Sequence, residues 1–161
     1  DSNGVYLIPA FSGLGPPFWI ANARAAFFGI NASTNTNHLA RAGLESVAYQ
    51  MVVYLEFMKK SRNLDLKNLS IDGGMVKNKF FLQIISDLMD IELSIPEMED
   101  MSSYGALLFG IKYYNNYNSF NDLRVFEVKN SKITPNYNKD IRNSYISWKE
   151  IVDKHFVKNQ D

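Results

Sequence analysis

Cysteine is absent from the 161 residues, so neither a disulfide nor a thiolate metal site can form; the usage fits a reducing compartment, and a cytoplasmic location is expected. An excess of one charge is also missing. Lys plus Arg number 17 and Asp plus Glu number 17, which leaves no net field to draw in nucleic acid or an acidic membrane. No apolar run reaches the length of a membrane span, and the opening Asp1-Ser2-Asn3-Gly4 lacks the basic and apolar regions of a signal peptide. Because it also lacks a methionine, a fragment or a processed product is expected. Neither G-x-G-x-x-G nor G-x-x-x-x-G-K-[ST] occurs, so neither a dinucleotide fold nor a P-loop is supported.

What is present is core-forming material. At 46% hydrophobic residues the chain can bury a real interior, and no linker divides residues 1–161, which read as one domain or part of a larger protein. Val5 to Ala10 reads as a short buried strand ending at Pro9. The turn-rich loop Phe11 to Trp19 follows, with Phe18 and Trp19 expected to plug the core. Ala25 to Ile30 is a second strand candidate. A long helix is expected from about Thr36, capped by Thr36 or Asn37. Its core face is expected at Leu44, Val47, Met51, Leu55 and Met58, widened by Ala48 and Val52. Gly43 inside it costs about 1 kcal/mol relative to alanine and suggests close packing. His38 near its start reads as an ordinary solvated histidine.

The chemistry is placed at Ser70 to Phe81. Leu69 to Ile71 reads as the end of a buried strand, Gly73 and Gly74 follow, and Phe81, Ile84, Ile85 and Leu88 recur at helical spacing, giving a helix over about Val76 to Asp90. Glycines let a ligand approach the backbone, and a helix start offers unpaired N–H groups, so a phosphate or nucleotide suits the turn. A strand over Ile91 to Ile95 then leads to Glu97, Glu99 and Asp100, which read as solvated acids rather than a metal site. A third helix follows, capped by Ser102 or Ser103, with Gly105 and Ala106 small enough for close packing. Leu123 to Val128 is an edge-strand candidate or extended arm, and Tyr137 to Lys158 a closing amphipathic helix through Tyr145, Trp148, Ile151, Val152 and His155. Strands alternating with helices give an α/β layer whose sheet is made mixed by the first two strands, with the glycine turn at a strand's carboxyl end, where such sheets bind ligands.

Five segments occur in an order and spacing that resemble the C-terminal domain of the FGGY carbohydrate kinases, nearest their glycerol kinase branch: VYLIPAFSGLGPPFW (Val5 to Trp19), NARAAFFGI (Asn22 to Ile30), NHLARAGLESVAYQ (Asn37 to Gln50), IDGGMVKNKFFLQIISD (Ile71 to Asp87) and MSSYGALLFG (Met101 to Gly110). The resemblance implies an actin-like ATPase, ribonuclease-H-like fold, α/β with a mixed sheet flanked by helices and here incomplete. It implies ATP and Mg²⁺ in a cleft between two domains, with transfer of the γ-phosphoryl group to a polyol, glycerol foremost. Carried onto this sequence, Gly74 and Asn78 match positions that contact the adenine nucleotide, with Gly73 and Met75 flanking them. No catalytic residue and no metal ligand of the family falls in this chain. The family's aspartate base, its polyol-binding residues, its first phosphate loop and the first strands of this same domain would lie N-terminal to Asp1. The isolated chain is therefore expected to be inactive, and the full-length protein is expected to be a homo-oligomer.

Departures from the family pattern are Ile20 where an acid is usual, Ala25 where glycine is usual, and Gly43 where Thr or a small aliphatic residue is preferred. Three alternatives stay open: a non-catalytic nucleotide-binding or assembly module, a kinase for another sugar such as a pentulose, and, more distantly, a flavodoxin-like domain.

Overall fold

The computed structural model describes residues 1–98, 100–126 and 128–158. Tyr6–Ile8 (β1) and Ala26–Phe28 (β2) pair antiparallel in register Leu7 to Phe27. The long helix Thr36–Arg62 (α1) leads to Asn68–Ser70 (β3). A four-residue 3-10 turn, Gly74–Lys77, then precedes Lys79–Met89 (α2). Glu92–Pro96 (β4), Met101–Tyr114 (α3), a 3-10 segment Phe120–Phe126, Asn130–Ile133 (β5) and Lys139–Val152 (α4) complete the order.

The strands form two sheets. The β1–β2 hairpin stands alone, and the second sheet runs β3-β4-β5, with β3 parallel and β5 antiparallel to β4. The expected mixed sheet is present, but β5 makes it mixed and the hairpin does not. The sequence offered Leu123 to Val128 as a last edge strand or an extended arm. The chain instead turns through a 3-10 segment there, Glu127 lies outside the described residues, and the strand is the polar Asn130–Ile133. A strand of sequence Asn-Ser-Lys-Ile has no apolar alternation to announce it.

α1 starts at Thr36 as expected, but its cap is Asn35, one residue before the expected Thr36 or Asn37. The Asn35 side chain accepts from the N–H groups of Asn37 (3.0 Å) and His38 (3.3 Å), and His38 Nδ1 accepts from the Asn35 N–H (3.3 Å), closing a capping box. His38, expected as an ordinary solvated histidine, is half-buried and its ring adds the second hydrogen bond of this capping box. The helix ends where Asn63 takes the left-handed conformation, φ 49°.

The core face of α1 also differs from expectation. Ala42, Glu45, Ser46, Ala48, Tyr49, Val52, Val53 and Leu55 are buried, whereas Val47 and Met51 are exposed. The helix carries two apolar stripes, and spacing alone cannot rank them. The smaller residues of the buried stripe allow close approach to α2 and β1, and Glu45 inside it is paired with Arg41 Nε at 2.5 Å. Gly43 has open space where a Cβ would stand, so nothing described packs closely on it, and the same holds for Gly105.

One core joins both sheets. Ile8, Tyr49, Val52, Leu82, Ile85, Leu93, Tyr145 and Trp148 belong to a single buried cluster. Phe18 packs against it as expected, but Trp19 does not plug it; its φ of 54° turns the indole outward, 73% exposed. α4 presents Ile141, Tyr145, Trp148 and Val152 at spacings of four, three and four, the one-sided stripe of an amphipathic helix. His155, assigned to that face from sequence, is exposed and rests against the Phe28 ring at 4.8 Å. Asp87, 4% exposed, ties the C-terminal arm down: its Oδ1 accepts from Gln83 Nε2 (2.7 Å) and from the Asn136 N–H (2.8 Å), and its carbonyl accepts from Arg142.

Burial, joined by the Glu45 carboxylate at Tyr49 and the Glu56 carboxylate at Tyr145, pushes both phenols far above their ordinary value. The unfolded chain releases these protons from about pH 10, whereas the folded chain holds them, so stability is full below about pH 10 and falls as pH rises above it. Urea midpoints should be flat from about pH 8 to 9 and drop by about pH 11, with a shallower drop in Tyr49→Phe. An equal drop in both proteins would remove Tyr49 as a contributor.

Candidate functional site

β3 and β4 run parallel, so their carboxyl ends open on one side of the sheet. The strand ends at Ser70, and Ile71 N–H still donates to the Ser94 carbonyl at 3.0 Å, which fixes where the chain leaves the sheet. The expected burial of this strand is not found: Asn68 and Ser70 are exposed and Leu69 is half-buried, because β3 is an outer strand.

Gly73 has φ 111° and ψ 176°, a region open essentially to glycine, and a side chain there would cost about 1–3 kcal/mol. Gly74 is different. Its φ is not positive, and a Cβ on it would meet nothing within 4 Å. Neither the backbone nor packing among the described residues requires glycine at 74. Met75 is 43% exposed beside it, and the N–H groups of Val76 and Asn78 close the 3-10 turn onto the Gly73 and Met75 carbonyls at 3.1 and 3.0 Å.

The helix starts later than the sequence suggested. Asn78 is the N-cap of α2, its Oδ1 accepting from the Phe81 N–H at 3.0 Å. A helix from about Val76 would have put this amide inside the first turn, with its oxygen and its nitrogen both open to a ligand. The cap engages Oδ1, and Nδ2 is the remaining donor of the amide. The structure therefore brings Gly73, Gly74, Met75 and Asn78 together on one short turn at the carboxyl end of β3, the first three exposed and Asn78 half-buried. Lys77 and Lys79 flank Asn78, and Asp72 is exposed at the strand end.

Two clefts border this region. One, of about 520 Å³, is lined by Ser70 and Pro96 with Met101, Tyr104 and Leu108 of α3. The other, of about 420 Å³, lies between Val76, Lys79 and Gln83 of the α2 side and Ser131 to Ile133 of β5 with Thr134 just after it. Neither was legible beforehand, since α3 and β5 meet the turn only in three dimensions. α3 is capped by Asp100, not by Ser102 or Ser103: its carboxylate accepts from the Ser103 N–H (2.9 Å) and hydroxyl (2.6 Å), which hold it below the usual carboxylate range. Among the described residues no group of three or more His, Asp or Glu could hold a metal ion; Glu99 of the acidic run lies outside them. No described helix is long and apolar enough to cross a membrane.

The sequence model described as the FGGY family of carbohydrate kinases, C-terminal domain, matches residues 1–113. A glycerol kinase of Shewanella oneidensis is 39% identical over 153 residues, covering 94% of this chain and 31% of the relative. A glycerol kinase of Vibrio atlanticus is 38% identical, with 94% and 30% covered. The chain thus spans about a third of the length of these relatives. Among solved structures, a Plasmodium falciparum glycerol kinase with ADP superposes with a TM-score of 0.81 at 27% identity, over 97% of this chain and 31% of that one. A gluconate kinase of Lactobacillus acidophilus shares the fold with a TM-score of 0.74 at 17% identity, over 95% and 31%.

Proposed function

Because this chain belongs to the FGGY family of carbohydrate kinases, we propose that it forms the nucleotide-binding part of an ATP-dependent polyol kinase, with glycerol as the acceptor. The observation that carries this reading is the bare turn: glycine at 74 answers to no need of the fold, and it stands open beside Met75 and the Asn78 amide. A purine can lie against main chain there, with Met75 as an apolar neighbour and Asn78 Nδ2 as a donor. A Plasmodium falciparum relative of the same fold was solved with ADP, which supports a nucleotide as the ligand of the complete protein. Glycerol is favoured over a pentulose because the glycerol kinases are 38–39% identical, whereas the xylulose kinase of Brucella ovis is 20% identical and speaks only to fold.

In this reading the residues of this chain position the nucleotide and perform no bond-breaking step. Phosphoryl transfer depends on positioning and charge stabilisation from both walls of a cleft, and the base, the polyol site and the Mg²⁺ ligands belong to the remainder of the polypeptide. Mg²⁺, when bound with ATP, would neutralise developing phosphate charge; no residue described here is assigned to it. A coupled assay of the complete polypeptide should show ATP-dependent turnover with glycerol well above D-xylulose. The reverse preference would remove glycerol, and absence of turnover with either would remove the kinase reading.

Asn78→Asp separates the two roles of that side chain. The carboxylate keeps the oxygen that caps α2 but loses the donor and sets a negative charge against the base. Stability should stay within about 0.5 kcal/mol, whereas Asn78→Ala should cost about 1 kcal/mol. ATP affinity in the complete protein should fall about tenfold or more in Asn78→Asp, equivalent to about 1.4 kcal/mol. Unchanged ATP affinity in Asn78→Asp, by calorimetry, would take Asn78 out of the site.

A further inference from the structure

Arg41, Glu45 and Tyr49 stand four residues apart on one face of α1. Glu45 is 3% exposed, and both of its carboxylate oxygens are engaged. Oε1 pairs with Arg41 Nε at 2.5 Å, and Oε2 accepts from the Tyr49 hydroxyl at 3.4 Å. The Arg41 guanidinium, held along that edge, lies over the Phe80 ring with its central carbon 3.7 Å from the ring centre. Phe80 is the second residue of α2 and packs against the common core.

Helix stability alone does not ask for this arrangement. An i, i+4 pair supports a helix better with the acid N-terminal to the base, and here the arginine comes first. A buried ion pair is also weak support for a fold, because taking two charges out of water offsets most of their attraction. What the pair does supply is direction. A guanidinium fixed along one edge presents a flat face at a set angle, which the point charge of a lysine does not. That face meets Phe80 between the Asn78 cap and the buried Phe81 and Leu82, so it bears on how the first turn of α2 is rotated. The cap bond from the Phe81 N–H to Asn78 Oδ1 carries that rotation to the Nδ2 donor of the same amide.

We propose that Arg41 is a positioning residue for the nucleotide turn: braced by Glu45, its guanidinium holds Phe80 and thereby aims the Asn78 amide at the base. The proposal rests on the nucleotide reading of that turn. Arg41 acts through Phe80 and is assigned no contact with the nucleotide.

The test uses the complete polypeptide. Glu45→Ala would open the core and leave the Tyr49 hydroxyl without its acceptor, so Glu45 stays in place. Arg41→Lys keeps a cation beside Glu45 and loses the flat face; Phe80→Leu keeps an apolar side chain and loses the ring. Each should weaken ATP binding about fivefold or more by calorimetry, raising KM for ATP with KM for glycerol nearly unchanged. The double variant should bind ATP about as well as the weaker single variant, since both substitutions remove one contact. Without nucleotide, the side-chain amide signals of Asn78 should shift in Arg41→Lys, and hydrogen exchange of the Phe81 amide should quicken about threefold or more. A merely structural role predicts lower urea midpoints with ATP affinity unchanged, and that result would overturn the proposal. So would independent, multiplying effects of the two substitutions on ATP affinity, or Asn78 signals that stay in place. Gly74→Val separates the two failures. If it weakens ATP binding and Arg41→Lys does not, only the positioning role falls; if neither does, the nucleotide reading falls and takes the positioning role with it.

Discussion

Trp148→Ala is expected to destabilise the folded chain by about 3–5 kcal/mol, the range for emptying a buried aromatic site. Trp148 is fully buried, lies 5.9 Å from the Tyr49 ring, and donates its indole N–H to the Leu7 carbonyl at 2.8 Å. It thereby joins the C-terminal helix to the first strand of the chain. Alanine removes the ring and leaves the Leu7 carbonyl without that donor, in a place where water does not easily follow. Against a total of about 5–15 kcal/mol for a typical domain, the loss leaves little margin. Trp148→Phe should keep most of the packing and cost about 1–3 kcal/mol through the unsatisfied carbonyl. Ile146→Ala on the same helix, 55% exposed, should change stability by less than about 0.5 kcal/mol. Urea midpoints order these three; a Trp148→Ala midpoint equal to that of Ile146→Ala would show that α4 does not secure the core.

The second large effect falls on binding and spares the fold. Gly74→Val puts a branched side chain where the proposed nucleotide lies against main chain, and its Cβ meets nothing within 4 Å among the described residues. In the complete protein ATP affinity should fall by at least about a hundredfold, equivalent to about 2.7 kcal/mol, with glycerol affinity nearly unchanged. Gly74→Ala should be intermediate. The unfolding midpoint should move little in either variant. The converse substitution, Gly73→Ala, should reduce stability because its φ of 111° strains any side chain. A pair of adjacent glycines thus separates the two reasons for glycine: conformation at 73 and access at 74.

Much of the architecture was legible because α2 and α4 show their buried faces as clean helical stripes. Phe81, Ile84 and Ile85 in α2, and Tyr145, Trp148 and Val152 in α4, are apolar where the core is. The core face of α1 was only partly readable: Ala48, Val52 and Leu55 of the expected face are buried, whereas Val47 and Met51, just as apolar, are exposed. Which stripe is buried depends on what packs there, and a 27-residue helix records that only through partners distant in sequence. β5 escaped notice because its pairing with β4 comes from main chain, while its side chains are mostly polar and exposed.

The turn was legible for a different reason. Strand, paired glycines and an apolar pattern at helical spacing leave a compositional mark, and the resemblance to FGGY kinases attached residues to it. Its shape was not. That a 3-10 turn intervenes, and that Asn78 caps α2 through Oδ1, follow from hydrogen bonds no single sequence displays.

The most direct measurement is a titration of ATP into the isotope-labelled complete polypeptide, followed by the backbone amides of residues 68–82 and the Asn78 side-chain amide. The account predicts saturable shifts concentrated at Gly73, Gly74, Met75 and Asn78 Nδ2. Saturable binding that leaves those four unmoved and shifts another surface would contradict it.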